Sequence, residues 1–162
     1  MKKKKWIFIP GAGNPKCQVP PNPNRRVQNP ATGTDNFCNF PTLRAWDKQF
    51  TGGPIYLRAG KHSGPHRGFG VQHVWKEHFP NETNPVEAES AVVALVSSIL
   101  VVGSEIYYEG GVGKHGDRAL ISRNARGIVI LEERLDGSNN ITYNVITAFQ
   151  DGAPRGTLIG SL

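Results

Sequence analysis

The chain has 162 residues, with 19 Lys and Arg, 13 Asp and Glu, 19 Gly, 12 Pro and two Cys. The length fits one domain. Two Cys exclude a multi-disulfide scaffold, and without paired Cys/His spacings they exclude a finger-type zinc site. The net charge of +6 is unevenly placed: residues 1–54 carry nine basic and two acidic side chains, and residues 55–162 carry ten and eleven. The excess therefore belongs to the first third, where a basic arm would steer the chain toward nucleic acid or another anionic surface.

Lys2 to Lys5 followed by Trp6-Ile7-Phe8-Ile9 starts like a signal peptide. The apolar run stops at Pro10-Gly11, short of the roughly 7–15 residues such a core needs. The stretch Ala91 to Val102 is shorter than the ~18 residues of a membrane span, so a soluble protein is expected. Residues 1–36 read as a basic Pro/Gly/Asn-rich arm or linker that buries too little apolar surface to offset its ordering entropy. Residues 37–162 read as the folded domain.

In chain order, Thr42 is placed to cap a short helix, Leu43 to Phe50, with Leu43, Trp46 and Phe50 at 3–4 spacing. Ile55 to Leu57 reads as a short strand or extended entry, and Gly60 to Gly70 as a Gly/His/Arg-rich loop. Val71 to Phe79 is predicted helical and is broken by Pro80. Asn84 caps the next helix, with Pro85 at its first position, and the apolar repeat carries it to about Val102. The period then changes to two. Ile106 to Glu109, Arg118 to Arg123, Gly127 to Arg134 and Ile141 to Phe149 read as four strands joined by short turns, which favours an antiparallel meander. The expected fold class is α+β, N-terminal helices packed on a four-stranded antiparallel meander sheet.

Four of the five His fall within residues 62–78: His62, His66, His73 and His78. Arg58, Lys61, Arg67 and Lys76 are interleaved with them, and the only acidic residue there is Glu77. Imidazole gives and takes protons near neutral pH, and Lys and Arg stabilise phosphate charge. RNA cleavage through the ribose 2′-hydroxyl needs both. His73 and His78 are five apart, about 140° on an ideal helix, and serve one point only if the helix ends near His78. Gly68-Phe69-Gly70 before the helix allows close backbone approach, and the helix N-terminus would offer free N–H groups to phosphate. On the last strand, alternation puts Tyr143, Val145 and Thr147 on one face, so Thr147 and Tyr143 are candidates for one cleft. Arg118 and Arg123 fall on opposite faces of their strand, and Arg123 is a further substrate-binding candidate. Lys114-His115-Gly116 reads as a solvated loop, with substrate contact the lesser alternative. No metal site is expected: Gly64 and Pro65 forbid the helix that would align His62 with His66, and carboxylates are scarce nearby.

The run Arg67-Gly68-Phe69-Gly70-Val71-Gln72-His73-Val74-Trp75-Lys76-Glu77-His78 resembles the helix-borne G-x-G-x-x-H-(I/V)-x-x-x-H signature of bacterial and phage toxin nucleases of the Barnase/EndoU/colicin/RelE (BECR) type. The ending Tyr143-Asn144-Val145-Ile146-Thr147-Ala148-Phe149 is similar to their terminal V-(V/I)-T-A-(F/Y) strand. The likeness covers roughly residues 42–150. It implies a BECR-like fold and a metal-independent endoribonuclease without cofactor, often a tRNase. Such domains are the C-terminal warheads of secreted toxins, such as contact-dependent inhibition proteins or bacteriocins. They act in the target-cell cytoplasm and are neutralised by a cognate immunity protein. Carried onto this chain, it implies His73, His78 and Thr147 as catalytic residues. Lys61, His62, His66, Arg67, Arg123 and Tyr143 stand as substrate-binding candidates. Two alternatives stay open: a non-enzymatic nucleic-acid-binding domain, in which Phe69, Trp75 and Phe79 would stack on bases, and a metal-dependent nuclease.

Overall fold

The computed structural model describes residues 22–46, 48–110 and 118–162. The first half of the basic arm and the Lys114-His115-Gly116 loop lie outside the described residues.

The meander is present. Strands β7 (Glu105–Tyr108), β8 (Arg118–Arg123), β9 (Gly127–Leu135) and β10 (Ile141–Phe149) pair antiparallel in sequence order. It is the middle of something larger. Strands β1 (Asn36–Phe40) and β4 (Gly53–Tyr56) extend it beyond β10, and β11 (Thr157–Ser161) pairs with β7, giving the order β1-β4-β10-β9-β8-β7-β11. The β4–β10 pair is parallel, so the sheet is mixed. Two separate hairpins, β2 (Leu43–Ala45) with β3 (Lys48–Phe50) and β5 (Lys61–Gly64) with β6 (Arg67–Phe69), complete the described strands. The described helices are α1 (Gly70–His78) and α2 (Pro85–Ile99).

The expected α+β, BECR-like class, helices first and then a four-stranded meander, is therefore overturned: the described residues are mostly β, built on a curled seven-stranded mixed sheet with two short helices. The helix expected from Leu43 to Phe50 is the β2–β3 hairpin. Leu43 and Phe50, seven apart as in two helical turns, are instead cross-strand partners. Trp46 takes the left-handed turn conformation between them, at φ 54°. Burial decides the outcome. As a strand end, Phe50 inserts between Phe40 and Tyr108, at ring centroid distances of 5.6 and 5.1 Å, a gain that outweighs the few tenths of a kcal/mol per residue of helix propensity. The Gly60–Gly70 loop is likewise largely the β5–β6 hairpin.

The two helices form where the sequence places them. The Asn84 side chain accepts hydrogen bonds from the Val86 and Glu87 amides at 2.9 and 3.3 Å, satisfying two of the donors that open α2. Helix α2 stops at Ile99, short of Val102, because its last carbonyls have other donors: the buried Ser104 hydroxyl donates to Ile99 O at 2.6 Å and the Arg123 guanidinium to Ser98 O at 2.6 Å. Val92, Leu95, Val96 and Ile99 then pack against one face of the sheet, in a core with Ile106, Ile121, Val129, Leu131 and Val145. Residues 22–36 run along the segment after β4. Val27 N–H donates to Leu57 O, and Ala59 N–H to Arg25 O, each at 2.8 Å, and Val27 joins the core.

Tyr143 lies at the centre of that core, fully buried and stacked on Phe40 at 4.1 Å. Its hydroxyl donates to Thr51 O at 2.6 Å and lies 3.1 Å from the Glu133 carboxylate, which pairs with Lys48 at 3.0 Å. Burial, then the Glu133 charge, pushes the phenol well above its usual range. Removing that hydroxyl takes a part-buried hydrogen bond from Thr51 O and from the Glu133 carboxylate. Tyr143→Phe should therefore cost about 1–3 kcal/mol, read as a lower midpoint in urea at unchanged slope.

Candidate active site

The site is assembled where the β5–β6 hairpin folds back over α1. Two glycines make the crossing possible. Gly70, at φ +72°, has Arg58 O only 2.3 Å from where a Cβ would stand, and Gly68, at φ +143°, has Lys61 O at 2.2 Å and His73 Nδ1 at 3.0 Å. Any side chain at either position would push the backbones apart. The same closeness consumes the first amides of α1: Val71 N–H donates to Arg58 O and Gln72 N–H to Ala59 O, each at 2.9 Å. The expected phosphate cradle at this helix N-terminus is therefore not available at those two amides. Here the glycines serve backbone packing.

What the crossing achieves is to lay His62 on His73. Their Nδ1 atoms are 3.3 Å apart and their rings stack at a 5.5 Å centroid distance. Gly68 is the register partner of His62 across the hairpin. Glu77 follows His73 by four residues and so shares its face of α1. The Glu77 carboxylate accepts the His66 backbone N–H at 2.8 Å, a contact made as His66 adopts a left-handed φ of 58°. That hydrogen bond, first among its causes, holds the Glu77 carboxyl below its usual range.

The facing wall comes from the sheet, and a β-bulge shapes it. Val145 pairs with Leu131 but Thr147 pairs with Ile130, so Ile146 is the extra residue on β10. The bulge inverts the alternation. Tyr143, Val145 and Ala148 point into the core, whereas Ile146, Thr147 and Phe149 line a cleft with His66, Arg67, His73, Glu77, His78, Arg118 and Ile130. The cleft volume is about 810 Å³. His78 is the last residue of α1, and its Nε2 approaches the Thr147 hydroxyl to 3.5 Å, the outer limit of a hydrogen bond. Arg118, in the same wall, is held by Glu132 at 2.9 Å.

Of the residues expected from sequence, His66, Arg67, His73, His78 and Thr147 come together in this cleft, with His62 behind His73. Helix termination at His78 removes the 140° objection to the histidine pair. Three candidates are elsewhere. Tyr143 is in the core, because the bulge separates its face from that of Thr147. Arg123 anchors the end of α2 and lines a different cavity, with Gly103, Glu105 and Gln150. Lys61 is exposed on β5, beside His62, and is not part of the cleft lining. Glu77 was missed as a partner, although its four-residue spacing from His73 was visible in the sequence. The pairing of His62 with His73 had no such signal, since it depends on hairpin register.

Comparison with family models, curated proteins and solved structures finds no match at the level of either sequence or fold. No described helix is long and apolar enough to cross a membrane.

His73 is only 5% exposed, and burial, partly opposed by the Glu77 charge, lowers its pKa; burial lowers that of His78 as well. A base with a depressed folded pKa binds more protons unfolded than folded between that value and about 6.5. Stability thus rises with pH across this window and falls on acidification. In EDTA, the melting temperature should drop as pH is lowered from 7 toward 5, with a shallower slope for His73→Gln. Gly68→Ala should cost about 1–3 kcal/mol through backbone strain and displace His62 from His73, seen as altered imidazole NMR signals.

Proposed function

We propose that this chain is an endoribonuclease toxin domain, cutting RNA by acid/base attack of the ribose 2′-hydroxyl, with tRNA the favoured substrate. The observation that carries the reading is the convergence of His73, His78, Thr147, Arg67 and Arg118 on one cleft. His73, kept neutral by burial, accepts the proton of the 2′-hydroxyl as its oxygen bonds to phosphorus. The phosphorus–O5′ bond breaks, and protonated His78 delivers a proton to the leaving oxygen. A bound phosphate raises the pKa of an adjacent imidazole and so favours the charged acid. Thr147 and the two arginines donate to the phosphorane oxygens. The products are a 2′,3′-cyclic phosphate and a 5′-hydroxyl.

On this reading the domain is delivered by a producing bacterium, acts in the target-cell cytoplasm, and is neutralised by an immunity protein that covers the cleft. The basic arm adds sequence-independent attraction to RNA. A purely RNA-binding role is less well supported, because the aromatics it would use are engaged. Trp75 is buried, with its indole N–H donating to Glu82 O at 2.8 Å, Phe69 lies under the Arg58 guanidinium at 4.2 Å, and Phe79 packs on the core.

Incubation with total RNA in EDTA, followed by sequencing of the new ends, should show discrete cuts bearing cyclic phosphates. His73→Ala should slow cleavage by about 10²–10⁴-fold with an unchanged circular-dichroism spectrum. Cleavage that requires added metal, or that survives this substitution, would sink the proposal. RNA binding without scission would select the binding-domain alternative.

A further inference from the structure

His62, His73 and Glu77 present one ligand atom each within 4.8 Å of one another. Their arrangement goes beyond proximity. His73 and Glu77 share a helical face at four-residue spacing, and His62 is delivered from a different element across a glycine that no other residue can replace without moving it. The 3.3 Å between the two Nδ1 atoms matches the ligand–ligand edge of a tetrahedron with metal–nitrogen bonds of about 2.05 Å, which is about 3.35 Å. The Glu77 carboxylate, in the position where it accepts the His66 N–H, already offers an oxygen within 4.8 Å of both nitrogens. The hydrogen bond from His66 N–H to that carboxylate supplies the kind of outer support that orients metal ligands. Two imidazoles and one carboxylate suit a borderline-soft ion such as Zn²⁺ and disfavour Mg²⁺, which prefers oxygen ligands.

We propose that His62, His73 and Glu77 form a tetrahedral Zn²⁺ site whose fourth position opens on the cleft, and that the bound ion holds the proposed nuclease off. The second half of this inference rests on the nuclease reading; the first does not. The reason for inhibition is proton accounting. A neutral imidazole coordinated through Nδ1 carries its hydrogen on Nε2, so His73 has no lone pair left to accept the 2′-hydroxyl proton. The ion would act as a reversible block on the base.

The test uses the full chain. Zn²⁺ is titrated in competition with a chromophoric chelator, and Co²⁺ is added separately to record its visible spectrum. The expected result is one ion per chain, the intense visible bands of tetrahedral Co²⁺, and affinity reduced more than about tenfold in both His62→Ala and Glu77→Gln. Glu77→Gln keeps the shape of the side chain, so a folded variant is retained for the comparison, and circular dichroism checks both. Millimolar Mg²⁺ should not displace the Zn²⁺. Cleavage by the wild type should fall in proportion to Zn²⁺ occupancy and return on adding EDTA. Absence of stoichiometric binding, equal affinity in His62→Ala, or an octahedral Co²⁺ spectrum would overturn the site. Cleavage stimulated by Zn²⁺ would overturn the inhibitory role. A chain that binds Zn²⁺ as described but cuts no RNA under any condition would sink the nuclease reading and leave the metal site standing.

Discussion

Strand β10 is held on both sides, parallel to β4 and antiparallel to β9, and carries one extra residue at Ile146. Pairing on both edges leaves the strand unable to slip, so the bulge stays at one place along it. Before the bulge, Tyr143 and Val145 face inward and join Phe40, Phe50 and the apolar stripe of α2. After it, Ala148 takes over the inward direction, and Thr147 and Phe149 turn to the opposite face beside Ile130 and Arg118. One strand thereby builds the centre of the core and the floor of the cleft, and the rigidity of the first fixes the position of the second.

The other wall depends on close backbone contact. Segments 58–60 and 68–70 approach so nearly that a Cβ at Gly60 would stand 1.8 Å from Phe69 O. This crossing ties the hairpin to α1 and uses the helix's first amides. The histidine-rich face of α1 is thus turned toward β10, while Val71, Val74 and Trp75 enter the core. The result is a buried imidazole in contact with a second one, a carboxylate fixed by a backbone amide, and a terminal helix histidine within reach of a strand threonine. Proton transfer and metal coordination both draw on these nitrogen lone pairs, so the two uses exclude one another at His73.

Parts of this were legible in the sequence because their signals are local. The Asn84-Pro85 cap, the break at Pro80 and the 3.6-residue repeat define the helices within a few residues. The period-two runs define β7 to β10, with β8 and β10 found at their observed ends. The histidine cluster stood out by composition, and four of its candidate residues, His66, Arg67, His73 and His78, share the cleft. The pieces that failed are those whose local signal points two ways. Leu43, Trp46 and Phe50 satisfy helical spacing and also the register of a tight hairpin. Strands of three to five residues such as β1, β2, β3 and β11 are too short to establish a period. Tyr143 and Thr147 alternate correctly on paper, and the bulge that separates them leaves no mark in composition. Arg123 reads as a free cation until the end of α2 is placed beside it.

The sequence by itself determined the two helices, the antiparallel meander and the gathering of titratable side chains in residues 62–78, since each follows from spacing, capping and composition along the chain. Tertiary structure decided the seven-stranded mixed sheet, the partition of β10 between core and cleft, and the meeting of His62, His73 and Glu77. These depend on which segments share buried surface and on hairpin register. Both are set by contacts between residues far apart in sequence, whose free energy exceeds the local preferences that a linear reading can weigh.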